Sequence, residues 1–168
     1  MEGVLGILKL RVKRGINLAV RDTKSSDPYL VATVDGQKTK TRVVKGNCNP
    51  EWDDELTLTL RDPNTPINIA VYDKDSFSND DNMGVTEIDV KPYIKCLQRG
   101  LELKNLPDGT KLERVHPQKT NNLVHESCIV LENGKIVQDM TLRLREVECG
   151  EVVIRMELIP LPGRKLCV

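Results

Sequence analysis

Five aspartates carry the most chemistry in this chain: Asp22 and Asp27 in one stretch, and Asp73, Asp75 and Asp81 in another. Carboxylates gathered in this way suit a hard cation. Ca²⁺ is satisfied by about six to eight oxygens at roughly 2.3–2.6 Å, whereas the same carboxylates without a cation repel one another. Residues two apart in extended backbone share a face, so Asp73 and Asp75 point together if strand geometry persists past Val71, and the returning loop brings in Asp81. An EF-hand loop beginning at Asp73 is ruled out. It needs glycine at its sixth position and glutamate at its twelfth, where this chain has Ser78 and Gly84. The competing reading is that these are solvated turn residues, since Asp, Ser and Asn are ordinary loop formers.

Two further groups have types and spacing suited to a lipid surface. Lys38, Lys40 and Arg42 alternate along one predicted strand and share a face, either as an anionic-lipid patch or as the solvated outside of a sheet. Phe77, the chain's one phenylalanine, sits between serines in the acidic loop. It either inserts among lipids or folds back over a strand end. Trp52, the one tryptophan, lies in an Asn49-Pro50-Glu51-Trp52 corner and reads as core. His116 and His125 have no cysteine at metal-ligand spacing and read as surface or packing residues rather than a zinc site.

The elements that must position these groups are strands. Leu8, Leu10 and Val12 alternate with Lys9, Arg11 and Lys13, the period-two pattern of a half-buried strand. A run from Tyr29 to Val34 ends in Asp35-Gly36 and resumes over Lys38 to Val44, which predicts a hairpin. Leu56, Leu58 and Leu60 share one face of the next strand. Ile67, Ile69 and Val71 share a face of the strand that delivers Asp73. Asn133-Gly134 predicts a second hairpin between Cys128–Glu132 and Lys135–Gln138. Alternating runs around Leu142 and over Val152, Ile154, Met156 and Leu158 close the pattern before Pro160 and Pro162. Lys91 to Leu97 alone looks helical. Eight or nine short strands predict an all-β antiparallel sandwich, with the polar stretch 98–126 as an insertion.

A chain of 168 residues, 39% hydrophobic and 30% charged, suits one domain with a real core. Its 25 basic and 25 acidic residues cancel, so no global field points to nucleic acid or to an acidic substrate. The five cysteines, Cys48, Cys96, Cys128, Cys149 and Cys167, are odd in number and widely spaced, and are expected to be reduced, buried thiols. With no signal pattern, long apolar run or N-x-S/T acceptor lacking proline, and no prenylation motif, the expectation is the cytosol or nucleus with any membrane role peripheral.

Ser26-Asp27-Pro28-Tyr29, Asn49-Pro50-Glu51-Trp52, Asp73-x-Asp75, and Asp81 before Met83-Gly84 resemble the signature of C2 domains, eight-stranded sandwiches that bind calcium between loops at one end. The aspartates follow the first strand and Glu151–Ile159 closes the sandwich, which suits the permuted, type II topology. The segments Lys13–Asp22 and Leu142–Val152 resemble, more narrowly, the plant C2-domain abscisic-acid-related (CAR) proteins. That resemblance spans nearly the whole chain and includes an elaborated insertion, about 98–140, before the last strand. It departs at Thr39, where the family's Q-K-L-K-T stretch carries an apolar residue, and over Asn122–Ser127.

The resemblance implies one C2 domain over 1–168 and Ca²⁺ as cofactor, held by Asp22, Asp27, Asp73, Asp75 and Asp81 with backbone carbonyls at Arg21 and Lys74. It implies a non-enzymatic adaptor that binds anionic phospholipid and recruits abscisic acid receptors of the PYR/PYL/RCAR class, at the plasma membrane and in the cytoplasm and nucleus. It also implies, as an alternative, stimulation of the GTPase and ATPase activity of YchF-type (Obg-like) ATPases. Five carboxylates carry about five negative charges, and two calcium ions would return about four, so the loop end would change from repelling to tolerating anionic lipid. A metal-assisted hydrolase lacks a nucleophile–base pair, a phosphate-cradling loop and a histidine cluster.

Overall fold

The computed structural model describes residues 3–22 and 25–162, apart from the side chain of Leu101. Cys167 therefore lies outside the described residues. The elements run β1 (Gly6–Ile16), β2 (Pro28–Val34), β3 (Gln37–Lys40), β4 (Glu51–Leu60), β5 (Ile67–Asp73), β6 (Asp81–Ile88), α1 (Lys91–Leu97), a 3₁₀ turn (Gly100–Leu103), β7 (Lys111–Val115), β8 (Ser127–Glu132), β9 (Lys135–Arg143) and β10 (Glu151–Pro160). They form two antiparallel sheets, ordered β4-β1-β10-β9-β8-β7 and β3-β2-β5-β6.

The alternation read from sequence is the alternation of burial. Leu8, Leu10 and Val12 of β1 and Val152, Ile154, Met156 and Leu158 of β10 face Leu30 and Ala32 of β2 and Ile67, Ile69 and Val71 of β5, all in one cluster. Each fully buried Leu, Ile or Val contributes about 1.5–3 kcal/mol of transfer free energy, so these two inner faces dominate the stability. Trp52 is buried as expected, and its indole Nε1 donates to the Pro28 carbonyl at 3.0 Å, tying the start of β4 to the start of β2.

Both predicted hairpins form with positive φ at both turn residues, 47° and 77° at Asp35-Gly36 and 50° and 77° at Asn133-Gly134. These values suit the two-residue type I′ loop, whose twist matches the flanking strands. The first hairpin is shorter than predicted. The hydroxyl of Thr41 accepts from Leu30 N at 2.9 Å, a side chain taking the place of a ladder carbonyl, and β3 ends at Lys40.

Ten strands stand among the described residues where eight or nine were expected: β6 and β7, at the edges of the two sheets, were not anticipated, and the runs at Lys135–Gln138 and Leu142 form one strand, β9. β7 pairs with β8, and β8 with β9, so this part of the chain widens the larger sheet instead of standing apart from it. The expectation for the cysteines needs correction. Cys96 is buried, but Cys48, Cys128 and Cys149 are only half-buried, and all four are free.

Direction along the sandwich matters for the site. β1 and β10 are antiparallel neighbours, pairing Ile16 with Glu151 at one end and Gly6 with Pro160 at the other. The β1–β2, β5–β6 and β9–β10 connections all lie at the Ile16 end. At that end β6 presses against the segment after β9, where Val85 and Arg145 exchange backbone hydrogen bonds. Gly84 makes this approach feasible. Its φ is +113°, and a Cβ there would sit 2.6 Å from Val147 Cγ1 and 2.9 Å from Leu144 Cβ.

Candidate metal centre

The carboxylates of Asp22, Asp27 and Asp73 converge, each offering an oxygen within 4.8 Å of the other two. Strand pairing does much of this, because Pro28 lies opposite Asp73 in the β2–β5 ladder and so sets Asp27 beside the end of β5. Asp27 N then donates to Asp73 Oδ1 at 2.7 Å, Gly46 N to Asp27 Oδ1 at 2.8 Å, and Lys74 N to the Asp27 carbonyl at 3.0 Å. Asp22 arrives through the loop after β1, whose shape is held by buried Ser26. The Ser26 hydroxyl donates to the Ala19 carbonyl and accepts from Arg21 N, both at 2.8 Å.

Asp73 is 2% exposed, and this burial pushes its carboxyl above the usual carboxylate range, assisted by the charges of Asp22, Asp27 and Asp81. Desolvation and like charge both disfavour three ionised groups here. Hard oxygens, a small separation and a negative field fit a calcium ion, and two oxygens already fixed by backbone donors give the set a defined geometry.

The other expected ligands are placed differently. Asp81 is the ladder partner of Asp73, close enough for its charge to act on Asp73 and on Arg21. Asp75 is turned into its own loop, accepting from Phe77 N at 2.9 Å and from Ser78 Oγ at 2.8 Å, and these bonds hold its carboxyl below the usual range. For Arg21 and Lys74 the backbone is fixed through the next residue. Asp22 N donates to the Ser25 carbonyl at 2.8 Å and Asp75 N to Asp80 Oδ1 at 2.9 Å. Because peptides are trans, the Arg21 and Lys74 carbonyls point away from those acceptors.

Three groups escaped the sequence. Asp80 braces the β5–β6 loop, accepting from the Asp75 amide and the Tyr29 hydroxyl, with Lys74 Nζ at 3.8 Å. Burial and this bond push the Tyr29 phenol up to about 12. Glu148 makes a two-pronged pair with Arg21, both contacts at 2.9 Å, and that pair draws the Glu148 carboxyl down to about 2. The Asp80-Asp81 doublet is a signal for the first, but a pair 127 residues apart leaves none. Exposed Val20 and Val43 lie at this same end.

Phe77 is fully exposed and does not fold back over a strand. Lys38 and Lys40 project from β3, and Lys40 Nζ lies 5.9 Å from the Tyr29 ring, which stacks on Tyr72. Arg42 departs from the expected row. It lies beyond β3 and is bound to Asp54, Nη2 to Oδ1 at 2.7 Å and its own amide to Oδ2 at 2.7 Å, so its charge is compensated. His116 and His125 are both exposed, and His116 lies 3.6 Å from Glu126.

A C2-domain family model matches residues 6–107. C2-DOMAIN ABA-RELATED 10 from Arabidopsis thaliana is 54% identical over 153 residues, 91% of this chain and 85% of its own length. The chain belongs to the C2-domain ABA-related family. C2-DOMAIN ABA-RELATED 3 from Arabidopsis thaliana is 53% identical over 98% of this chain and 97% of that protein. A rice relative named GTPase activating protein 1, from Oryza sativa subsp. indica, is 46% identical over 96% of each. Among solved structures, a C2 domain of plant Extended Synaptotagmin 1 matches with a TM-score of 0.63 at 21% identity, over 95% of this chain and 98% of that one. The calcium-bound tandem C2 domains of Extended Synaptotagmin 2 match with a TM-score of 0.63 at 22% identity, over 94% of this chain and 47% of that one. These likenesses show the C2 fold. As a C2-domain ABA-related protein, the chain carries the general C2 role of a calcium- and membrane-directed signalling module.

Proposed function

We propose that this protein is a non-enzymatic, calcium-gated adaptor that binds anionic phospholipid through the Ile16 end of the sandwich. The convergence of Asp22, Asp27 and Asp73 carries this reading. A bound calcium ion would supply positive charge and open coordination positions for lipid phosphate. The protein's own residues do the rest. Asp22, Asp27 and Asp73 present oxygens, with Asp81 adding field, while Asp75 joins on release from Phe77 N and Ser78 Oγ. The Arg21–Glu148 pair holds the first loop against the segment before β10. Phe77, Val20 and Val43 project apolar surface at the same end, and Lys38 and Lys40 add charge along β3. Each cation near an anionic surface contributes about 1 kcal/mol, and a buried aromatic about 1.5–3 kcal/mol.

Within that frame the protein brings abscisic acid receptors of the PYR/PYL/RCAR class to the plasma membrane, with further pools in cytoplasm and nucleus. The family name supports this partner class. Co-sedimentation with phosphatidylserine vesicles across a calcium titration tests the adaptor, comparing the parent with an Asp22→Ala/Asp27→Ala variant. Pelleting that is equal in calcium and in chelator sinks it.

The rice relative's name favours a second reading, activation of a GTPase, for which a YchF-type (Obg-like) ATPase is the target we propose. Arg21, held by Glu148, is poorly placed to supply transition-state charge, whereas exposed Arg114 has no such tie among the described residues. Nucleotide turnover by such an ATPase, measured with and without this protein, separates the two.

A further inference from the structure

The three converging carboxylates are not held alike. Asp27 Oδ1 accepts from Gly46 N at 2.8 Å and Asp73 Oδ1 accepts from Asp27 N at 2.7 Å, but the carboxylate of exposed Asp22 has no donor among the described residues. It stands where the backbone of its loop puts it, and that backbone has two anchors. Ser26 fixes it from the inside, through the Ala19 carbonyl and Arg21 N. Arg21 Nη1 and Nη2 fix it from the outside, each donating to one oxygen of Glu148 at 2.9 Å. A two-pronged pair of planar groups fixes direction as well as distance.

Glu148 can serve as an anchor because its own segment, between β9 and β10, is firmly seated. Leu144 N donates to the Gly150 carbonyl at 3.0 Å, and Arg145 N to the Val85 carbonyl at 2.7 Å. A Cβ on Gly150 would meet Leu18 Cδ2 at 3.3 Å and one on Gly84 would meet Val147 Cγ1 at 2.6 Å, so the segment lies close against both the first loop and β6. β6 is the strand that begins at Asp81. The segment thus braces the two elements that carry Asp22 and Asp81. Charge adds a second role. The field of Asp81 reaches the Arg21 guanidinium, so an unpaired Arg21 would set a positive charge beside the place a cation must enter. Glu148 answers that charge.

We propose that Glu148 is a positioning residue for calcium: through Arg21 it sets where Asp22 stands, and it keeps the guanidinium charge from opposing the ion. The proposal rests on the reading of Asp22, Asp27 and Asp73 as calcium ligands and adds a control on their affinity. Glu148 has no place in the coordination shell. Its influence comes from a loop outside the acidic motifs, 127 positions from Arg21.

Calorimetric titration of the full chain with calcium reads the affinity, and hydrogen exchange in chelator gives a calcium-free readout. Glu148→Gln changes only an exposed side chain and is expected to weaken calcium binding at least about threefold, since an exposed ion pair of good geometry is worth up to about a fivefold change in an equilibrium. In an Arg21→Gln background the same substitution is expected to change the affinity less than about twofold, because Glu148 acts through Arg21. Glu87→Gln removes another ion pair of the segment, with Arg145 at 3.5 Å, and is expected to leave calcium binding within about twofold. In chelator the Asp22 amide, which donates to the Ser25 carbonyl at 2.8 Å, is expected to exchange at least about threefold faster in Glu148→Gln than in the parent. A smaller loss of affinity, a change of about twofold or more in the Arg21→Gln background or from Glu87→Gln, or a smaller rise in Asp22 exchange overturns the proposal. A parent that binds no calcium overturns the calcium reading and the proposal together. Normal binding by the parent with Glu148→Gln unaffected overturns the proposal alone.

Discussion

Replacing Asp73 with asparagine tests whether the carboxylate trio is held together against its own repulsion. Asparagine keeps the shape and an oxygen for the Asp27 amide, which donates to Oδ1 at 2.7 Å, but removes one charge. With oxygens no more than 4.8 Å apart, Coulomb's law gives about 3.5 kcal/mol per pair at an effective dielectric of about 20, and about 0.9 kcal/mol in bulk water. Asp22 is exposed and Asp27 half-buried, so the first pair lies near the lower figure and the second between the two. After screening and relaxation, Asp73→Asn is expected to stabilise the calcium-free protein by about 1–2 kcal/mol, raising the melting midpoint by about 2–8 °C for a chain of this size. In excess calcium the order reverses, since a ligand that binds only the folded state adds RT ln(1 + [L]/Kd), and the variant loses most of that gain. Scanning calorimetry in chelator and in calcium reads both effects. A variant that melts below the parent in chelator would refute the repulsion argument. A full calcium increment in the variant would refute Asp73 as a ligand.

Phe77→Ser is expected to weaken calcium-dependent vesicle binding about tenfold or more while leaving calcium affinity within about twofold, read by vesicle sedimentation and calorimetric titration. Gly84→Ala is expected to cost about 2–4 kcal/mol in urea unfolding, because the residue has φ +113° and a Cβ would collide with Val147 and Leu144. Trp52→Phe is expected to cost about 0.5–1.5 kcal/mol by removing the 3.0 Å indole hydrogen bond to the Pro28 carbonyl, which keeps Val44 N at 3.1 Å as a second donor. Asp139 is held below the usual carboxylate range chiefly by its hydrogen bonds from Arg155, with Nη2 at 2.8 Å and Nε at 2.9 Å. A depressed carboxylate stabilises the fold above its unfolded value of about 3.9 and loses that contribution as pH falls through its folded value. The gap in urea midpoint between the parent and Asp139→Asn is therefore expected to be open at about pH 6 and to close below about pH 4.

Much of the scaffold could be read from residues alone, because the deciding forces are local. Asp35-Gly36 and Asn133-Gly134 turn where positive φ is tolerated, and Leu8, Leu10 and Val12 repeat with the period of the pleat. The helix over Lys91–Leu97 also falls in its expected place. The losses came where a side chain competes with the backbone or a partner is distant. Thr41 ends β3 with its hydroxyl and so detaches Arg42 from the lysine row. The convergence of Asp22 with Asp27 and Asp73 was legible as a family pattern. That Asp75 would be drawn into its own turn, and that Asp80 would brace the loop, depended on hydrogen bonds that spacing does not encode. The pairing of β7 with β8 was obscured for a related reason. Lys111–Val115 carries mostly exposed side chains at a sheet edge, so it has no strong apolar rhythm.

The antiparallel pairing of β1 with β10 has a geometric consequence for any experiment that watches the protein on a bilayer. Gly6 and Pro160 sit together at the end opposite the acidic loops, and a strand of 11 residues spans about 36 Å at roughly 3.3 Å per residue. A fluorophore beside Gly6 or Pro160 therefore rides near the top of an upright domain, and its energy transfer to a dye in the lipid reports tilt. A sandwich lying on its β3 face brings the same fluorophore down, so one label distinguishes docking by the loop tips from docking by Lys38 and Lys40.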